Sequence, residues 1–214
     1  MSTSTSVPAS GGPWGWRTVD VVTVAIIGVA FGVVFWGWDA VYALAYTAFL
    51  GFLPALGFLG GVWTLAAVVG AAIVRRPGAA FLAELIAAAV ELLLGNQFSL
   101  IGLVSGLLYG IGFEIVVAIL RWQRWGVLTL AGAIAFGTLL QSFWGVNLYY
   151  PDWDLGWKVF NGVAGIVSAA VLGGVLGWLI VKAIALTGAL NAFPPGRERF
   201  TTPQPPRAAT DATA

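Results

Sequence analysis

The sequence predicts an all-α, polytopic integral membrane protein with six transmembrane helices and both termini cytoplasmic. Three observations carry this. Of 214 residues, 59% are hydrophobic and only 9% are charged. A soluble domain carries about a quarter charged residues, and the mean hydropathy here is +0.92. The second observation is the spacing of uncharged runs long enough to cross hydrocarbon. The third is the placement of Lys and Arg, which favour the cytoplasmic ends of membrane helices.

Residues 1–16 are rich in Ser, Thr, Pro and Gly without a basic cluster. They are expected to be disordered and cytoplasmic, with no signal peptide. Asp20 and Asp39 bracket the first span, near 18–37. It carries Gly28 and Gly32, a small-residue pair that lets another helix approach closely. These two glycines are candidates for docking a partner or for packing within the chain.

The next charge-free run, 40–74, is too long for one span, and Leu53-Pro54 divides it. With 40–53 read as an outer lid or loop helix, the spans fall near 18–37, 55–74, 78–95, 99–121, 126–149 and 157–187. Arg17, Arg75, Arg76, Arg121, Arg124, Lys182, Arg197 and Arg199 then all lie inside, and only Lys158 lies outside. Were 40–53 to cross, Arg75, Arg76, Arg121 and Arg124 would move outside while Arg17 stayed in. The transmembrane domain is thus 17–190, and 191–214, dominated by Pro, Thr, Arg and Ala, is expected to be a disordered tail.

Spans three and four hold three carboxylates, Glu84, Glu91 and Glu114. Ionisable groups within a membrane span mark functional sites by default. Glu84 and Glu91 are two turns apart on one face, about 10 Å along the axis. In span four, Gly102, Gly106, Gly110 and Glu114 recur at every fourth position, which turns Glu114 into the bundle at the depth of Glu84. Glu91 shares the outer level with Asn96, Gln97, Gln141, Asn147 and Asn161. Polar groups converging at one end of a bundle suggest a small-molecule pocket; the alternative is that they tie the outer turns together.

Most of the tryptophans suit interfacial belts, but Trp63 and Trp144 lie deeper. They offer faces for a cationic or heteroaromatic ligand, or ordinary packing. The candidate binding set is therefore Glu91, Glu84, Glu114, Trp63, Tyr109, Gln97, Gln141, Trp144, Asn147 and Asn161.

The exclusions are equally specific. Without cysteine or histidine, disulfides, Cys/His zinc sites and His-based acid–base chemistry are impossible. No G-x-x-x-x-G-K-[ST] motif is present, so the chain has no P-loop of its own. A net charge of +1 argues against a nucleic-acid partner. No enzyme activity, cofactor or metal is expected.

The run RRPGAAFLAELIAAAVELLLGNQFSL, followed by GLLYGIGFEIVVAI, resembles the YkoE family. These are S components, the substrate-capturing membrane subunits of energy-coupling-factor (ECF) transporters for thiamine or its hydroxymethylpyrimidine precursor. The resemblance is strongest over 75–125. It implies an S-component-like bundle of six helices, an outward-opening site covered by the segment after the first helix, and partnership with a transmembrane coupling subunit and two ATPases. Gly28 and Gly32 are the nearest match to the small-residue row by which many S components dock. A proton-coupled secondary transporter using Glu84 and Glu114, and a non-transporting membrane scaffold, are the competing readings.

Overall fold

The computed structural model describes residues 15–48 and 52–198, and every regular element among them is helical. The predicted disorder of 1–14 and 199–214 concerns residues outside this range.

Helix α1 (Thr18–Ala48) begins with one half of a capping box: the Arg17 N–H donates to Asp20 Oδ2 across 2.9 Å. Its buried stripe is Asp20, Val24, Gly28, Gly32, Phe35 and Asp39, while Val22, Ile26, Val29 and Val33 are exposed, as on a lipid-facing surface. The stripe packs on α3. A Cβ on Gly28 would stand 2.6 Å from Ile86 Cβ, and one on Gly32 would stand 2.6 Å from Val90 Cβ. Of the two expectations for Gly28 and Gly32, packing within the chain is the one these contacts serve: the missing side chains let α3 come this close.

A second difference concerns 40–53. Its first nine residues continue α1 without a break, and residues 49–51 lie outside the described range. No helix breaker separates Trp38 from Ala48, so the helix runs on about 46 Å in all. The described part of the expected lid, 40–48, is the end of α1 rather than a separate helix.

Helix α2 (Leu53–Val74) has two halves. Leu53–Thr64 is 3₁₀ and Leu65–Val74 is α-helical and buried throughout. Twelve residues are long for a 3₁₀ segment, and side chains of α6 brace it. Asn161 Nδ2 donates to the Pro54 carbonyl at 3.0 Å, the Ser168 hydroxyl donates to the Phe58 carbonyl, and Ser168 Oγ accepts from the Gly61 N–H at 3.0 Å. Arg75 ends the helix in the left-handed region at φ 53°, and Gly78 at φ 86° leads into α3.

Helix α3 (Ala79–Leu93) buries Ala79, Ala80, Ala83, Ala87 and Ala88 between its neighbours. At 15 residues it is about 22 Å long, shorter than the predicted span 78–95. The other long helices, α1, α2, α4 (Ser99–Ile119), α5 (Val127–Tyr149) and α6 (Leu155–Leu186), have the length and apolarity to cross a membrane. α6 contains a π-helical stretch, Ala169–Leu176, where Gly173 meets Thr64 and Gly174 meets Ala131.

The expected tail is ordered as far as Glu198. Leu190 and Phe193 are buried, and a short helix α7 (Pro194–Glu198) closes the end of the bundle that carries Arg17 and Arg75. The Ala192 carbonyl accepts from Arg17 at 3.4 Å, and Arg75 pairs with Glu198. Composition hid an apolar anchor, Phe193, in a Pro- and Arg-rich segment.

Candidate functional site

The site lies at the end of the bundle opposite α7. There the tops of α1, α2, α3, α4, α5 and α6 enclose a cavity of about 450 Å³. Aromatic side chains form its wall. Tyr42, Trp63 and Phe98 meet edge to face, with ring centroids 5.4–5.6 Å apart. Phe98 also meets Tyr149 at 6.1 Å. Tyr46, Tyr109 and Tyr150 complete the lining.

Polar groups stand between the rings, two carboxyls among them, Glu84 and Glu91. The Trp63 indole N–H donates to Glu91 Oε1 across 2.9 Å, which links α2 to α3. Glu91 is 3% exposed and lines the cavity. Beside it stands the carboxyl group of Asp39, carried there by the uninterrupted α1. Asp39 is 7% exposed, and the side chains of Glu91, Gln97 and Trp63 stand around its carboxyl group. Gln97 Nε2 donates to the Asp39 carbonyl at 3.0 Å and pins α1 to the α3–α4 turn. No Lys or Arg lines the cavity among the described residues. Glu91, backed by Asp39, is thus an acidic focus facing rings that attract cations.

Glu84 reaches the cavity floor, but its Oε2 accepts the Ala67 N–H at 2.8 Å. That N–H belongs to the first turn of the α-helical half of α2, where backbone donors lack partners. Glu114 does the same for α3: its Oε1 accepts the Ala80 N–H at 2.9 Å. Glu84 and Glu114 are therefore not paired, as their common depth suggested. Each caps a different helix.

The cavity brings together Glu91, Glu84, Trp63, Tyr109, Gln97, Gln141 and Asn161 of the sequence-based set. Gln141 Nε2 donates to Ser105 Oγ at 3.4 Å. Glu114, Trp144 and Asn147 are not among the lining residues. Asn147 is exposed, accepts from Lys158 Nζ at 3.0 Å and donates to the Phe143 carbonyl at 2.7 Å. Sequence reasoning missed Tyr42, Tyr46 and Phe98 as lining residues and Asp39 as the neighbour of Glu91 behind the lining. Tyr42 and Tyr46 are one turn apart, a signal that a continuous α1 would have exposed. No cluster of metal-ligating side chains occurs among the described residues.

Comparison with known proteins agrees with this architecture. Residues 19–140 match the model of a family described as the permease component of an ABC-type cobalt transport system. A Bacillus subtilis (strain 168) protein named as an HMP/thiamine permease, YkoE, is 33% identical over 196 residues, covering 86% of this chain and 92% of the relative. A crystal structure of an S component of an ECF transporter superposes with a TM-score of 0.82 at 28% identity, covering 86% of this chain and 93% of that one. The chain belongs to the YkoE family of ECF S components. As a member of that family it is an integral plasma-membrane protein and a substrate-binding transporter subunit, not an enzyme. The cavity's volume falls in the range of small-molecule sites.

Proposed function

We propose that this chain captures thiamine or its hydroxymethylpyrimidine precursor from outside the cell and hands it to an ATP-driven importer. The observation that carries the reading is the Trp63–Glu91 hydrogen bond, set beside Asp39 in an aromatic cavity. An aminopyrimidine presents a ring-nitrogen acceptor next to an amino donor, and a carboxyl group that holds a proton meets both. A thiazolium ring adds a fixed positive charge, which the faces of Tyr42, Trp63 and Phe98 and a second carboxyl group stabilise. The name of the Bacillus subtilis relative supports the same ligand class.

Transport needs partners in this reading. The chain has no P-loop, so ATP hydrolysis falls to ATPase subunits joined through a transmembrane coupling subunit. Six spans, with both termini cytoplasmic, put the cavity outside and the basic helix ends inside. Reconstitution in proteoliposomes tests the coupling. Uptake of labelled thiamine that requires the coupling and ATPase subunits and ATP is the expected result. Uptake by the lone chain driven by a proton gradient would contradict it and favour the secondary-transporter reading.

A further inference from the structure

A second cavity of about 450 Å³ opens at the opposite end of the bundle, between the end of α2, the start of α5, the last turns of α6 and α7. Two cations stand at its mouth, each over an indole ring. The Arg75 guanidinium lies 5.6 Å from the Trp125 centroid, and Lys182 Nζ lies 4.1 Å from the Trp178 centroid. Behind them the lining turns apolar, through Leu130 and Val181. Lys182 is exposed and lies over the Trp178 ring.

We infer that this groove is a binding site for an anionic phospholipid, with the phosphate between Arg75 and Lys182 and an acyl chain along Leu130 and Val181. Four features fit that ligand together. Tryptophans mark the depth of the headgroups. Basic pockets between membrane helices take anionic headgroups. The guanidinium fork matches a phosphodiester, and an apolar floor behind paired cations suits an amphiphile rather than a free anion. The Arg75 fork is already engaged by an anion, the Glu198 carboxylate of α7. Glu198 is 58% exposed on its side chain and Arg75 only 16%, so the Glu198 carboxylate returns to solvent as the phosphate takes its place on Arg75. It acts as an internal competitor: lipid phosphate displaces it, and the Arg75–Glu198 clasp then opens.

The test uses the full chain in a neutral detergent. Short-chain phosphatidylglycerol, short-chain phosphatidylcholine and inorganic phosphate are titrated while tryptophan fluorescence is read. Saturable binding of phosphatidylglycerol, far weaker binding of phosphatidylcholine and none of inorganic phosphate is expected. Lys182→Gln should weaken phosphatidylglycerol about fivefold, the weight of one basic residue at a membrane surface, and Glu198→Gln should strengthen it. The melting temperature and ligand binding at the opposite cavity should be unchanged in Lys182→Gln, which separates a lost contact from a lost fold. Equal binding of the two lipids, equal affinity in Lys182→Gln, or an equal response to inorganic phosphate would overturn the proposal. So would phosphatidylglycerol failing to bind while a purified coupling subunit quenches the same tryptophans, which would assign the groove to a protein.

Discussion

Trp63 and Glu91 face each other across 2.9 Å, indole N–H to carboxyl oxygen, and the bond fixes the Glu91 carboxyl group in the cavity wall. Trp63 thus has two roles, one ring face for the cavity and one donor for the acid. Replacing Glu91 by Gln keeps an acceptor for the indole and removes the charge. Glu91→Gln is expected to weaken thiamine binding by about 1.5–3 kcal/mol, the range for a charge-assisted hydrogen bond, with an unchanged melting temperature. Trp63→Phe should keep the apolar surface, free the carboxyl group and also weaken binding. Calorimetric titration of both variants checks this.

Asp39 separates charge recognition from ring recognition. Its carboxyl group lies beside Glu91, and no Lys or Arg lines the cavity among the described residues. A ligand with a permanent positive charge meets the negative charge that stays on the pair when one carboxyl group holds a proton, and a neutral pyrimidine gains much less from it. Asp39→Asn should lower the affinity for thiamine by about tenfold or more relative to hydroxymethylpyrimidine. Equal losses for both ligands would assign Asp39 a purely structural role.

Gly28 and Gly32 test the α1–α3 contact. Alanine in a helix is worth about 1 kcal/mol over glycine in propensity, so an open site would be stabilised. Here the added Cβ would meet Ile86 or Val90 at 2.6 Å. Gly28→Ala and Gly32→Ala should therefore lower the melting temperature. Ile86→Ala should recover part of the loss from Gly28→Ala, a coupling expected of residues in direct contact. Unchanged melting together with lost association to a coupling subunit would favour the docking role.

Glu114 holds the first turn of α3 and lies away from the cavity. Glu114→Ala should cost about 1–3 kcal/mol of stability by stranding the Ala80 N–H. Glu114→Gln keeps the acceptor and should cost less. Neither should change ligand affinity, and a large affinity loss in Glu114→Gln would place this residue back in the binding set.

The proposed orientation predicts opposite labelling of two exposed turns. The chain has no cysteine of its own, so Asp154→Cys should react with an impermeant thiol reagent on whole cells. Gln123→Cys should react only after permeabilisation. The reverse pattern would invert the topology.

The sequence made much of this readable, for local reasons. Arg75-Arg76-Pro77-Gly78 and Gly95-Asn96 are strong stop signals, and the helices end there. The two-turn spacing of Glu84 and Glu91 put both on one face, and both line the cavity. What failed was long-range. An acid was read as the end of a span, so Asp39 served as a boundary instead of a site residue, and α1 was cut short. Trp63 and Trp144 looked equivalent by depth. Gln141, Gly145 and Tyr149 set the cavity face of α5, and Trp144 is turned about 100° from Gly145. The Gly28/Gly32 row has one appearance in sequence whether its neighbour is α3 or another protein. Only the packing of α3 decides it.

The central claim is that the Glu91–Trp63 cavity holds thiamine or its pyrimidine half. Equilibrium titration of purified protein with thiamine and with hydroxymethylpyrimidine, run beside Glu91→Gln, tests it most directly. The account predicts saturable one-to-one binding by the parent and clear weakening in Glu91→Gln with the fold intact. No binding of either compound by the parent, or equal affinity in parent and Glu91→Gln, would contradict it.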